Sequence, residues 1–150
     1  MTVCVAVSVD DGLVFAADSA STLLQTDEHG RSAVVNVYRY GNKVFNLVRG
    51  LPICAMTAGM GSIGRVPIQS LAKDLRVSLT GNGADDGYKI DREDFSIEQI
   101  AIFARKFLFE DRYQKLDPPP PPPHALEFWL GGYSSREERP ELWKILISNG

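Results

Sequence analysis

The sequence predicts a mixed α+β protein, a layered sandwich of two antiparallel sheets covered by helices. Strand-like segments joined by short turns occur near the start of the chain and again near its end, and such hairpins require antiparallel pairing. Two amphipathic segments with helical periodicity lie between them. The chain has 150 residues, of which 44% are hydrophobic. This length and composition are typical of one globular domain, so we expect a single domain over residues 1–150.

The early hairpin is predicted from the first seventeen residues. Residues 2–9 alternate small or polar residues with valine, which is the period-two pattern of a half-buried strand. An Asp-Asp-Gly turn follows at 10–12. Residues 13–17 form a continuous apolar run, as expected of a strand buried on both faces. Residues 22–36 are polar and irregular, so we expect a loop there.

The middle of the chain predicts one more strand and two helices, and the end predicts a second hairpin. A buried strand at 53–58 precedes a glycine-rich turn and a helix. A Ser-x-x-Gln capping box at 96–99 begins the second helix, which we expect to reach about residue 116. Two strands, 126–130 and 142–147, form the late hairpin around a charged loop.

Composition argues against several classes of function. The net charge is −3 and no run of Lys or Arg occurs, so we expect no nucleic-acid partner. Apolar runs are too short to span a bilayer, so we expect no membrane partner. The two cysteines, Cys4 and Cys54, are expected to be small buried residues in a reducing cytoplasm. Metal-ligand spacing is absent, and we expect no cofactor.

The most informative residue is Thr2, directly behind Met1. If Met1 is removed, Thr2 carries a hydroxyl nucleophile and a free α-amine that can act as its own base. An α-amine has a pKa of about 7.7–8.0, so a useful fraction is a neutral base near pH 7. The alternative interpretation is an ordinary N-terminal hairpin whose second residue happens to be small.

Four further stretches of the sequence, by their order and their spacing from Thr2, support a functional role for this residue. They are residues 12–19 (GLVFAADS), 43–47 (KVFNL), 57–61 (TAGMG) and 130–133 (LGGY). Together with Thr2 they resemble the proteasome β-type family and its bacterial relatives such as HslV, within the N-terminal nucleophile hydrolases, and the resemblance covers nearly the whole chain. It implies a four-layer αββα sandwich with antiparallel sheets, of which residues 1–150 would be the N-terminal part. It also implies a threonine-type peptidase that forms a homo-oligomeric ring and acts on peptides or unfolded proteins.

The resemblance assigns catalytic roles to four residues. Thr2 would be the nucleophile after removal of Met1. Lys43 would lie beside the Thr2 hydroxyl and lower its pKa, and Asp18 would pair with Lys43 and hold it charged. Gly59 would offer a backbone N–H to the oxyanion.

Five further residues would bind substrate. Thr22 and Gly61 would pair with the substrate backbone as an added strand. The pocket for the residue before the scissile bond would be lined by Ser21, Phe45 and Thr57.

Two other classes of function stay open beside the peptidase. One is a non-catalytic assembly subunit or truncated pseudoenzyme with the same fold. The other is an N-terminal nucleophile amidohydrolase that acts on a small amide. The family usually has a serine near the start of the strand at 126–130, where this chain has His124 and Ala125.

Overall fold

A computed structural model describes residues 2–27, 29, 31–82, 88–118 and 125–148 of the chain. These residues form a mixed fold of strands and helices in which all strand pairs are antiparallel, so the predicted α+β class is confirmed. None of the helices within these ranges has the length and apolar character needed to cross a membrane. Met1 and His124 lie outside the described residues.

The described residues contain ten strands and two α-helices. In chain order these are β1 Cys4–Val9, β2 Gly12–Ala17, β3 Ser21–Thr26, β4 Ser32–Tyr38, β5 Val44–Asn46, β6 Ile53–Gly59, β7 Ser62–Ile63, β8 Val66–Pro67, α1 Ile68–Leu79, α2 Ile97–Arg105, β9 Ala125–Gly132 and β10 Glu141–Ser148. The α-helical geometry of α2 ends at Arg105, earlier than expected. A π-helical turn at Lys106–Glu110 and a 3₁₀ turn at Tyr113–Lys115 follow it and reach about the predicted end of the helix.

The central element is a four-stranded sheet in the order β10-β9-β6-β5. Alternate residues of β6 and β9 are buried in one core with the apolar faces of α1 and α2. The Ser96 Oγ accepts a hydrogen bond from the Gln99 N–H at 3.0 Å, which confirms the predicted start of α2. The core residues of these four elements are Ile53, Ala55, Ile68, Leu71, Leu75, Leu79, Ile97, Ile100, Ala101, Ala104, Leu126, Phe128 and Leu130.

The β1–β2 hairpin forms a separate two-stranded sheet that contacts β5 and β6 of the central sheet. It also approaches β9 closely at Gly131, where an added Cβ would lie 2.6 Å from Leu13 Cδ2 and 3.1 Å from Phe15 Cζ. Leu13 and Phe15 therefore face the central sheet. The described residues form three layers, in the order helices, four-stranded sheet and hairpin.

The outward face of the hairpin confirms one expectation and corrects another. The period-two pattern of β1 is confirmed, but its valine face is the exposed one. The prediction that residues 13–17 are buried on both faces is wrong, because Val14 is 61% exposed. A continuous apolar run cannot distinguish a strand covered on both faces from one covered on a single face. The exposed valines of the hairpin are Val3, Val5, Val7, Val9 and Val14.

Residues 22–36 are not a loop as expected, because β3 and β4 pair there as a hairpin with a bulge between Leu23 and Leu24. The Asp27 Oδ1 accepts the N–H groups of His29 and Arg31 at 2.9 and 2.8 Å and so organises the turn. Residues 33–38 of β4 are all exposed, so this strand lacks the alternation of buried and exposed side chains that normally identifies a strand.

The close approach at Gly131 gives a testable prediction about stability. In Gly131→Ala the added methyl group would also lie 2.7 Å from the Glu141 carbonyl oxygen, so neighbouring backbone must move. We expect a loss of about 1–3 kcal/mol in the free energy of unfolding, measured by urea denaturation. Gly61→Ala is the control, because nothing lies within 4 Å of a Cβ at that position. Equal midpoints for the two variants would contradict the packing of β2 on β9.

Candidate active site

A cleft of about 460 Å³ opens where the N-terminal segment meets the ends of β3, β5 and β6. It is lined by seven of the nine residues that the sequence indicated, although they come from four separate parts of the chain. An eighth, Asp18, lies behind the cleft wall and bonds to Lys43. The ninth, Phe45, does not line this cleft. The seven are Thr2, Ser21, Thr22, Lys43, Thr57, Gly59 and Gly61.

Lys43 is the best-defined group in the cleft, and its side chain is only 8% exposed. Its Nζ donates to the Thr2 Oγ1 at 3.3 Å, to the Asp18 Oδ1 at 2.9 Å and to the Ala20 carbonyl oxygen at 2.5 Å. An ammonium group has three donors and no acceptor, so these three bonds use its full capacity. The backbone of Lys43 is fixed as well, because its carbonyl oxygen accepts the Thr57 N–H at 3.0 Å.

This arrangement decides what Lys43 can do chemically. Because its Nζ donates to the Thr2 oxygen, the ammonium stabilises negative charge on that oxygen and cannot also accept the hydroxyl proton. The Thr2 hydroxyl hydrogen stays free to be donated elsewhere. A base for that proton must come from another group, and the α-amine of Thr2 itself is within its own residue.

Asp18 links the cation to the N-terminal segment. Its Oδ1 accepts the Val3 N–H at 2.8 Å as well as the Lys43 ammonium, and its Oδ2 accepts the Ala20 N–H at 3.1 Å. The Asp18 N–H donates in turn to the Val3 carbonyl oxygen at 3.0 Å. The hydrogen bond from Lys43 and then that from the Val3 N–H hold the pKa of Asp18 below its ordinary value. One carboxylate therefore positions both Lys43 and the residue that follows Thr2.

The lowered pKa of Asp18 predicts an acid-sensitive site. Its stabilising contribution is complete above the ordinary aspartate pKa of about 3.9, and it is lost as the pH falls through the lower folded-state value. In Asp18→Asn we expect the unfolding temperature to depend less steeply on pH in that acid range. The measurement is thermal unfolding of wild type and variant from pH 2 to pH 7.

Asp27→Asn is the matched control for Asp18→Asn. The N–H of Arg31 lowers the pKa of Asp27, with the Arg31 side chain assisting, but this carboxylate lies in the β3–β4 turn. In both variants the unfolding temperature should therefore fall less steeply in acid, whereas only Asp18→Asn removes a partner of Lys43. If the unfolding temperature of Asp18→Asn falls in acid as steeply as that of wild type, the Asp18 carboxylate is not held by these hydrogen bonds.

Gly59 meets the geometric requirement for a backbone donor at the cleft. The Met60 N–H donates to Ala125 on the β9 side, and the Thr57 N–H donates to Lys43 on the β5 side. Because N–H directions alternate along a strand, the Gly59 N–H is directed to the Lys43 side, where β5 has not yet begun. The residue must be glycine, since φ is +84° and a Cβ would overlap the Ala125 carbonyl oxygen.

Thr57 brings to the cleft a buried polar side-chain atom that lacks a partner among the described residues. Its side chain is 8% exposed, and its Oγ1 has no hydrogen-bond partner among the described residues. Leaving a hydroxyl buried and unpaired is costly, so such a group inside a cleft is typical of a position that a ligand satisfies. Thr57 pairs with Phe128, which is in the helix-side core, and therefore opens to the helix side of the sheet.

The structure adds residues that the sequence analysis missed. The carbonyl oxygen of Ala20 binds the Lys43 ammonium, and no sequence pattern identifies a main-chain acceptor. Gln69 and Glu127 line the cleft from α1 and β9. Glu127 did give a signal, since it is a lone carboxylate inside the apolar run 126–130. Within the part of the chain that the structure describes, no three His, Cys, Asp or Glu side chains are grouped closely enough to hold a metal ion.

Comparisons with family models, with curated proteins and with solved structures gave no match to this chain.

Proposed function

We propose that the protein is a threonine-type peptidase of the N-terminal nucleophile kind, with Thr2 as the nucleophile once Met1 has been removed. The observation that supports this most strongly is the Lys43 ammonium, held in a cleft between the Thr2 Oγ1 and the Asp18 carboxylate. A neutral side chain would pack at this buried position at a lower cost than a cation. The contact of the cation with the Thr2 hydroxyl therefore supports a chemical role for Lys43.

In the proposed reaction, the α-amine of Thr2 takes the hydroxyl proton while the Thr2 Oγ1 attacks the peptide carbonyl carbon. Lys43 stabilises the negative charge that Oγ1 carries as its proton leaves, and Asp18 keeps the ammonium in place. The Gly59 N–H binds the oxyanion of the tetrahedral intermediate. The ammonium formed on Thr2 returns its proton to the leaving amine, which leaves an ester on Oγ1. Water then hydrolyses this ester with the α-amine again as base.

The cleft also offers the means to bind an extended peptide. Thr22 and Gly61 lie on its rim and would pair with substrate backbone as an added strand. The side chain before the scissile bond would enter the recess at Ser21 and Thr57. Phe45, which the resemblance placed in that recess, is not part of the lining, so we assign it no role. In this proposal the two packed sheets are the inner layers of the N-terminal nucleophile sandwich, and the active protein is a homo-oligomeric ring.

The experiment that tests the proposal begins with the mass of the N-terminal peptide from cells. The protein that begins at Thr2 is then assayed with fluorogenic peptides and with a small-amide panel. We expect turnover of the peptides and reversible inhibition by a peptide boronate, which bonds to the Thr2 oxygen. Retention of Met1 on nearly all molecules would favour the assembly subunit, whereas turnover of small amides alone would favour the amidohydrolase.

A further inference from the structure

Glu127 is the one carboxylate among the described residues that line the cleft. It pairs with Ala58 on β6, and it lies on the same face of β9 as Trp129 and Gly131, because side chains two and four residues apart share a face. That face is the one covered by the β1–β2 hairpin, since Gly131 contacts β2. Thr57 opens to the opposite face, so Glu127 and Thr57 meet different parts of a bound molecule.

The Glu127 carboxylate is held by one oxygen and leaves the other open. The Trp129 Nε1 and the Lys144 Nζ each lie 3.1 Å from Oε2. Lys144 is itself placed over the Trp129 ring, 5.0 Å from its centroid, which fixes the donor pair. Oε1 has no hydrogen-bond partner among the described residues. The side chain is 35% exposed, so a molecule in the cleft can reach this oxygen.

The electrostatic influence of Glu127 reaches the N-terminal strand. Burial raises the pKa of the Cys4 thiol, and although Lys43 opposes this, Asp18 and Glu127 act in the same direction as burial. Cys4 is two residues from Thr2, and Thr2 and Glu127 line the same cleft. The opposite charge in the cleft, Lys43, is balanced by its own ion pair with Asp18 at 2.9 Å.

We propose that Glu127 is a specificity-determining residue that favours substrates with a positively charged side chain next to the scissile bond, a proposal that rests on the peptidase function above. The open Oε1 would accept a charge-assisted hydrogen bond from a lysine or arginine of the substrate. A single oxygen is available, so one N–H of the cation is bound and no bidentate fork forms. The Thr57 recess selects a different substrate side chain.

The test uses the protein that begins at Thr2 and peptides that differ at one position. Quenched fluorescent peptides carry lysine, norleucine or glutamate at each of the three positions on either side of the scissile bond. We expect the lysine peptide to exceed the norleucine peptide about fivefold in kcat/KM at one of these positions, as for a partly exposed charge pair. The glutamate peptide should be slower than both, and the lysine preference should decrease at high salt.

Variants connect the preference to the carboxylate. Glu127→Gln should bring the ratio of kcat/KM for the lysine peptide to that for the norleucine peptide close to one. Lys144→Met removes the compensating cation and should increase the ratio. Glu141→Gln is the matched control, because Glu141 also accepts a bond from the tryptophan two residues later, Trp143, but does not line the cleft. That variant should keep the wild-type ratio.

Failure of this inference is distinguishable from failure of the proposed function. Equal kcat/KM for lysine and norleucine peptides at every position would overturn the specificity and leave the peptidase intact. If the processed protein hydrolyses none of the peptides, the peptidase is overturned. The affinity of Thr2→Ala for the two peptides, measured by calorimetry, then decides the role of Glu127 alone. About fivefold tighter binding of the lysine peptide would support it, and equal affinity would overturn it.

Discussion

Replacing Thr2 by alanine is expected to lower kcat/KM for a fluorogenic peptide by at least about 10⁴-fold, because the variant lacks the oxygen that attacks the carbonyl. The variant keeps its α-amine, so the loss is specific to the nucleophile. The measurement is hydrolysis by protein that begins at residue 2, with the N-terminus verified by mass. The unfolding temperature should be nearly unchanged, since the only described bond of the Thr2 hydroxyl is the long one to Lys43.

Thr2→Ser is the control for Thr2→Ala. Serine keeps the hydroxyl and the amine, so we expect part of the activity to remain. A peptide boronate should raise the unfolding temperature of wild type and of Thr2→Ser but not that of Thr2→Ala, because binding to the folded state alone stabilises it. Wild-type turnover in Thr2→Ala would show that the nucleophile lies elsewhere.

Lys43→Ala is expected to reduce kcat/KM by about 10³-fold, nearly as much as loss of the nucleophile. The variant removes the only side-chain donor to the Thr2 oxygen among the described residues and leaves the Asp18 carboxylate without its cation. The measurements are kcat/KM for the peptide and the unfolding temperature from pH 2 to pH 7. The pKa of Asp18 should rise towards its ordinary value, because the hydrogen bond from Lys43 is the largest cause of its lowering.

Two comparisons complete the Lys43 experiment. Lys73→Ala removes an exposed lysine on α1 and should leave turnover unchanged, which shows that loss of one positive charge is not itself the cause. The double variant with Thr2→Ala should be no slower than Thr2→Ala alone, since residues that act as one unit are not additive. A further large loss in the double variant would mean that Lys43 acts outside the Thr2 reaction.

Much of the architecture was predictable because its signals are local. The capping box at Ser96, the helix that begins at Ile68 and the late hairpin each depend on residues within a few positions. The β3–β4 hairpin was not predictable from apolar alternation, because residues 33–38 of β4 are exposed on both faces. The exposure of the valine face was not predictable either, since a period-two pattern defines two faces without saying which one is covered.

For the site, the family resemblance implied that Lys43 contacts Thr2, 41 positions away, and Asp18, and both pairs lie within hydrogen-bond distance. The pattern could not indicate that Ala20 would supply a third acceptor, because main-chain carbonyls leave no mark in a sequence. The resemblance also assigned Phe45 to the substrate pocket, but Phe45 does not line the cleft. The catalytic roles and the ring stay predictions.

The bond from the Val3 N–H to Asp18 Oδ1 connects the residue before the first strand to the proposed reaction centre. That strand pairs only with β2 among the described residues, and its outward valines are open to water. Segments with so few supports fray at free energies well below that of global unfolding. We therefore expect turnover to be lost on warming at a temperature at which most of the molecule is still folded. A molecule bound to these valines would raise the temperature at which turnover is lost, although it would contact none of the reacting atoms.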